Sequence, residues 1–109
     1  MEKMYTTEDM LITMAKSIID MSNTVLLKSE SPNKNVVQII RQNFMSILKT
    51  LTSEGKVIVL NPQRDLQAAR IIIDSADFEY DSELFGKVFE FKKICEKLPK
   101  DRLLFEYKY

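Results

Sequence analysis

Residues 33–54, NKNVVQIIRQNFMSILKTLTSE, decide the fold of this chain, because their apolar side chains recur at spacings of three and four. Such spacing stacks side chains on one face of a helix. The apolar positions are Val36, Ile40, Phe44, Ile47, Leu48 and Leu51. We predict an amphipathic helix over 33–54, which ends where Gly55 can adopt the left-handed conformation.

A second apolar stripe precedes this helix. Thr7 followed by Glu8 and Asp9 suits a helix start, because the hydroxyl caps free amides and the acids favour the positive helix end. The apolar positions are Leu11, Met14, Ala15, Ile18, Met21, Val25 and Leu26. We predict a helix over 7–28, joined through the turn-like segment 29–35 to the next helix as an antiparallel hairpin.

Two further helices are predicted in the second half of the chain. Asn61-Pro62 offers an N-cap and a first helical proline, so the third helix spans 62–76. Asp81 or Ser82 caps the fourth helix, which ends at Pro99. The inward positions are Leu66, Ala69, Ile73 and Ala76 in the third helix, and Leu84, Phe85, Val88, Phe91, Ile94, Cys95 and Leu98 in the fourth.

Two short segments outside the predicted helices are candidate β-strands. Residues 56–60 form a continuous run that is mostly β-branched and apolar. In residues 103–109 a period of two places Leu103, Phe105, Tyr107 and Tyr109 on one face and Leu104, Glu106 and Lys108 on the other. They are candidates for a minimal two-stranded β-ribbon. The predicted fold class is therefore mainly α, a compact bundle of about four helices in a single helical domain over 1–109.

The composition argues against catalysis. The chain of 109 residues has no histidine, which removes the commonest general base and zinc ligand, and its two isolated glycines cannot build a phosphate-binding loop. A carboxylate-only mechanism remains open, with its acids drawn from residues 74–83, but a small helical domain seldom offers the deep cleft that such chemistry needs. We expect no catalytic residue, no cofactor and no bound metal ion.

Cysteine use and the start of the chain favour a cytoplasmic location. One cysteine allows no intramolecular disulfide, and residues 1–10, MEKMYTTEDM, lack the basic and apolar pattern of a signal peptide. No continuous apolar run approaches the ~18 residues of a membrane span, so we expect no membrane partner. Cys95 lies between Phe91 and Leu98 on an apolar face, which favours core packing over a thiol made reactive by nearby lysines.

Residues 74–83, DSADFEYDSE, are the least ordinary segment, with five carboxylates and no basic residue in a chain of zero net charge. An EF-hand counted from Asp77 fails, because Ser82 and Val88 stand where glycine and glutamate are required. A plain helix connection with its aromatics turned inward is one interpretation; an anionic ridge that docks onto a basic protein is the other. The candidate partner-binding residues are Asp74, Asp77, Phe78, Glu79, Tyr80, Asp81 and Glu83.

By elimination, the sequence favours a small intracellular, non-enzymatic protein-binding module that docks an acidic surface onto a basic partner. Such a module would neutralise or regulate its partner, as the immunity proteins and antitoxins of bacteria and phages inhibit toxins. One alternative is a nucleic-acid-binding regulator that uses the basic residues of 34–70. The other is a homo-oligomeric structural subunit, such as a homodimer paired through Leu104, Phe105 and Tyr107.

Overall fold

Four helices and two short strands make up the computed structural model of the chain, which describes residues 7–28, 30–54, 57–59, 67–97 and 103–105. The elements are α1 (Thr7–Leu27), α2 (Lys34–Glu54), β1 (Val57–Val59), α3 (Gln67–Ser75), α4 (Ser82–Glu96) and β2 (Leu103–Phe105). A mainly helical, compact arrangement with four helices is thus confirmed for the described residues.

The predicted hairpin is formed by α1 and α2. Each helix has 21 residues, and they pack together more extensively than any other pair of described elements. Arg41 Nε donates to Asn23 Oδ1 at 2.6 Å, which joins the end of α1 to the beginning of α2. Such a contact requires the two helices to run antiparallel, with α4 packed on α1 and α3 on α2.

The core includes the described positions of the stripes predicted for α1, α2 and α4, together with residues of α3, whereas the predicted inward position Leu98 lies outside the described residues. Phe44 of α2 and Phe91 of α4 meet edge to face, with ring centroids 4.9 Å apart, a favourable geometry for two aromatic rings. The largest fully buried side chains are Leu11, Ile18, Val37, Ile40, Phe44, Ile47, Leu84, Phe85, Val88 and Phe91. Because these side chains come from three helices, the core fixes the position of α4 relative to the hairpin.

The inward face of α3 differs from the prediction. Ile73 was expected in the core but is 62% exposed, whereas Ala68, Ala69 and Ile72 are buried. Three consecutive isoleucines at 71–73 give the stripe no phase, so only packing against α2 selects which isoleucine turns inward. The predicted start of this helix at Asn61-Pro62 and the inward position Leu66 lie outside the described residues.

A side chain of α2 assists the start of α3. The first amides of a helix have no acceptor within the helix itself. Asn43 Oδ1 accepts from the amide of Ala68 at 3.1 Å, so one of these donors is satisfied from the neighbouring helix. This contact adds a polar restraint to the packing of α3 on α2.

The two strands pair in parallel, with Val57 opposite Leu103 and Val59 opposite Phe105. Parallel neighbours need a long crossover, and here the chain passes through α3 and α4 between them. The ribbon in its predicted extent, 56–60 with 103–109, remains a prediction, because residues 56, 60 and 106–109 lie outside the described part.

The length of the apolar segment in α1 needs a correction. Asp9–Leu27 is long and apolar enough to cross a membrane by length and composition alone, and it is the single such helix among the described residues. Lys16 and Asp20 interrupt this segment, so it contains no long continuous run of apolar residues. A core helix and an N-terminal signal sequence both pass the same test, and 28% of this apolar window is buried.

Candidate protein-binding surface

The acidic segment 74–83 runs from the end of α3 through a turn at 77–81 into the first turn of α4. Four of its five carboxylate residues are exposed, and they are Asp74, Asp77, Glu79 and Glu83. Phe78 and Tyr80 are 44% and 45% exposed. We call these six residues the acidic surface.

Asp81 does not belong to the acidic surface, because it is only 7% exposed. Its Oδ2 accepts from Ser31 Oγ at 3.0 Å and from Asn33 Nδ2 at 2.7 Å. Asp81 occupies the N-cap position of α4, yet its side chain makes no capping hydrogen bond there. Asp81 therefore holds one of the two N-cap positions predicted for α4, but its carboxylate accepts hydrogen bonds from Ser31 and Asn33 and not from the first amides of the helix.

Asn33 completes this contact between the α1–α2 loop and the α3–α4 loop. Its Nδ2 also donates to the carbonyl of Asp77 at 3.0 Å, and its Oδ1 accepts from the amide of Asp77 at 2.7 Å. The Ser31 hydroxyl in turn accepts from the amide of Asn33 at 3.2 Å. We call Ser31, Asn33, Asp81 and the backbone of Asp77 the inter-loop clasp.

The clasp explains why segment 77–81 has a defined shape. A buried carboxylate is costly unless hydrogen bonds satisfy it, and two donors from the first loop do so here. Because the amide and carbonyl of Asp77 are also held, both ends of the turn are fixed. The exposed aromatics of the acidic surface are thereby presented from an ordered backbone.

Phe78 is supported from below by two aromatic rings of α4. Its ring centroid lies 5.7 Å from that of Phe85 and 5.9 Å from that of Phe89, with the Phe89 ring nearly parallel. The inward orientation considered from sequence applies only in part, since nearly half of Phe78 remains exposed. The ring is both anchored and available for contact.

Glu30 adds a charge that sequence reasoning missed. Partial burial raises the pKa of Tyr80, and the carboxylates of Glu30 and Asp81 raise it further. Glu30 is therefore near the phenol, although fifty residues separate the two in sequence. Only the packing of the loops reveals this, because Glu30 has no distinguishing pattern of its own.

A cleft lies beside Tyr80, between the end of α1 and the start of α4, with a volume of about 360 Å³. Met21, Val25 and Leu84 supply its apolar lining. The charged side chains that line it are Lys28, Asp81 and Glu83. The cleft adjoins the acidic surface through Tyr80 and Glu83.

The basic residues proposed for nucleic-acid binding are partly engaged within the protein. Arg41 donates to Asn23, and Arg70 Nε pairs with Asp74 at 3.2 Å. The Arg70 pair is exposed and contributes little to stability, but it partly neutralises one carboxylate of the acidic surface. Lys34 and Lys49 are the other described members of that set, whereas residues 56 and 64 lie outside the described part.

Cys95 is part of the core, as its position on the apolar face predicted. Burial raises the pKa of its thiol to about 12, and Glu96 adds to the increase. The nearby lysines do not activate the thiol, because desolvation outweighs any attraction from exposed cations. A nucleophilic or redox role would require the opposite shift.

The raised pKa of Cys95 predicts a loss of stability at alkaline pH. The unfolded thiol ionises near pH 9, whereas the folded thiol stays protonated to about 12, so stability is lost as the pH rises between these values. We expect wild type to lose about 1 kcal/mol more of its free energy of unfolding than Cys95→Ala between pH 8 and 10, as measured by urea titration. Parallel pH profiles of the two proteins would contradict this assignment.

Among the described residues, no three His, Cys, Asp or Glu side chains gather in a way that could hold a metal ion. The acidic surface presents exposed carboxylates and half-exposed aromatic rings. Comparison of the chain with protein-family models, with curated proteins and with solved structures returned no match.

Proposed function

We propose that this chain is a small, non-enzymatic protein-binding module whose acidic surface docks onto a basic face of another protein. The observation that carries the proposal is the presence of two half-exposed aromatic side chains, Phe78 and Tyr80, among four exposed carboxylates. An inhibitor that neutralises its partner, in the manner of an immunity protein or antitoxin, is the form of binding we favour.

The two kinds of side chain contribute differently to such a complex. Aromatic residues often supply much of the binding energy, because they bury a large area at a small cost in side-chain entropy. Exposed carboxylates contribute mainly to the rate and specificity of association, since they attract a positive surface over a distance. The active-site groove of a nuclease presents such a positive surface.

The inter-loop clasp favours binding as well. Residues that are disordered before binding must be ordered during it, and this ordering weakens the complex. Here the turn that carries Phe78 and Tyr80 is held by hydrogen bonds from Asn33 to Asp77 and Asp81. The surface is therefore arranged before a partner arrives.

We expect Asp77→Asn/Glu79→Gln to weaken partner capture about tenfold at 50 mM salt and less at 500 mM, because screening reduces the lost attraction. The matched control is Asp20→Asn/Glu90→Gln, which removes two exposed charges from α1 and α4. Each variant is used as bait in host lysate, both with and without nuclease treatment. Asp81 is left unchanged, because its replacement would disturb the clasp.

The comparison of variants decides the outcome. The proposal is supported if wild type and the control variant retain the same protein in equal amounts and Asp77→Asn/Glu79→Gln loses it. Equal retention by all three baits would overturn it. Retention that disappears on nuclease digestion would instead favour the nucleic-acid reading and the basic residues of 34–70.

A further inference from the structure

The cleft between α1 and α4 is large enough to receive an amino-acid side chain. Ligand sites usually measure about 300 to 1,000 Å³, and the cleft, at about 360 Å³, lies at the lower end of this range. It is lined by apolar groups of Met21, Val25 and Leu84 together with Tyr80. Such a lining accommodates an elongated side chain with an apolar stem and a polar head.

The charge around the cleft favours a cation. Of the described residues that line it, Asp81 and Glu83 are acidic and Lys28 is basic, and Glu30 acts on the Tyr80 phenol. Both charges that shift the pKa of Tyr80 are carboxylates, and both raise it. Two carboxylate residues thus face one lysine in the described lining of the cleft.

We infer that this cleft receives the guanidinium group of an arginine side chain from the basic partner, with the guanidinium stacked on Tyr80 and paired with Glu83. The inference rests on the proposed function and adds to it the residue type that the partner inserts. Arginine suits the site better than lysine, because its planar head stacks on aromatic faces, pairs with carboxylates and is weakly hydrated.

The direct test is an NMR titration of the ¹⁵N-labelled full chain with the peptide acetyl-Gly-Arg-Gly-amide. The same peptide with citrulline, a neutral analogue of arginine, serves as the control. We expect saturable shifts of the amides of Thr24, Lys28 and residues 80–84, with a dissociation constant on the order of 1 mM. The citrulline peptide is expected to bind at least about tenfold more weakly, because the charged hydrogen bonds are lost.

Two substitutions and a control locate the binding. Glu83→Gln is expected to weaken the arginine peptide about fivefold, and Tyr80→Leu about threefold, from the loss of the carboxylate and of the ring face. Glu90→Gln removes an exposed charge farther along α4 and should leave binding unchanged. Absence of shifts at the cleft, or equal shifts with both peptides, would overturn the inference.

A variant that fills the cleft separates this inference from the proposed function. Thr24→Phe places a ring in the lining and leaves residues 74–79 untouched. Partner capture that depends on Asp77 and Glu79 but tolerates Thr24→Phe overturns the arginine site and leaves the proposed function standing. If the arginine peptide binds at the cleft but Asp77→Asn/Glu79→Gln captures the partner as well as wild type does, the proposed function is overturned and the arginine site is supported.

Discussion

Replacing Phe44 by alanine should lower the free energy of unfolding by about 3 to 5 kcal/mol, the largest single effect we expect. Phe44 is fully buried in α2, and its ring meets that of Phe91 in α4. The substitution removes the transfer free energy of a whole ring, leaves a cavity and eliminates the aromatic contact. Domains are stable by only about 5 to 15 kcal/mol, so much of the margin would disappear.

The neighbouring residue provides the control for this measurement. Met45 is exposed on the same helix, so Met45→Ala should change the free energy of unfolding by about 0.5 kcal/mol or less in urea titrations. A cost below about 1 kcal/mol for Phe44→Ala would contradict the packing described here. Phe44→Leu should fall between the two, because it keeps part of the volume.

Replacing Asn33 by alanine should cost about 2 to 4 kcal/mol, which is large for a polar side chain. The side chain makes three hydrogen bonds, one to the Asp81 carboxylate and two to the backbone of Asp77. Its loss leaves a buried carboxylate with one of its two described donors and leaves two backbone groups without their described partner. Removing one partner of a buried polar contact costs more than the contact contributes when intact.

Asn35→Ala is the matched control for the clasp, because Asn35 is exposed in the first turn of α2 and should tolerate the change. The measurement is the free energy of urea unfolding for both variants. A double-mutant cycle with Asp81→Ala adds a second test. Since the two side chains act as one unit, the double variant should cost clearly less than the sum of the single variants. Additive costs would show that the clasp does not hold the loops together.

Much of the helical core was predictable from sequence. Spacings of three and four in α1, α2 and α4 identify buried positions such as Ile18, Phe44 and Phe91, because helical geometry repeats locally. The face of α3 was not predictable, since Ile71, Ile72 and Ile73 fill three successive directions and the pattern has no phase. Packing on α2 selects Ile72 and leaves Ile73 exposed.

The candidate surface was also predictable from sequence only in part. Composition alone identified segment 74–83 as an anionic stretch with two aromatic residues, because it contains five Asp or Glu residues and no Lys or Arg. Composition could not separate Asp81 from its neighbours, since burial and the donors Ser31 and Asn33 come from another loop. The part played by Glu30 was invisible for the same reason.

By itself, the sequence determined four amphipathic helices, a core of their apolar stripes and an acidic segment before the last helix, since each depends on short-range spacing or local charge. Tertiary structure alone decided which isoleucine of α3 turns inward, which carboxylate is buried and where a cleft opens beside Tyr80. These outcomes depend on contacts between residues 25 to 50 positions apart, such as Asn43 with Ala68 and Ser31 with Asp81. No local pattern encodes such a contact, because each partner acquires its role only when the other loop arrives beside it.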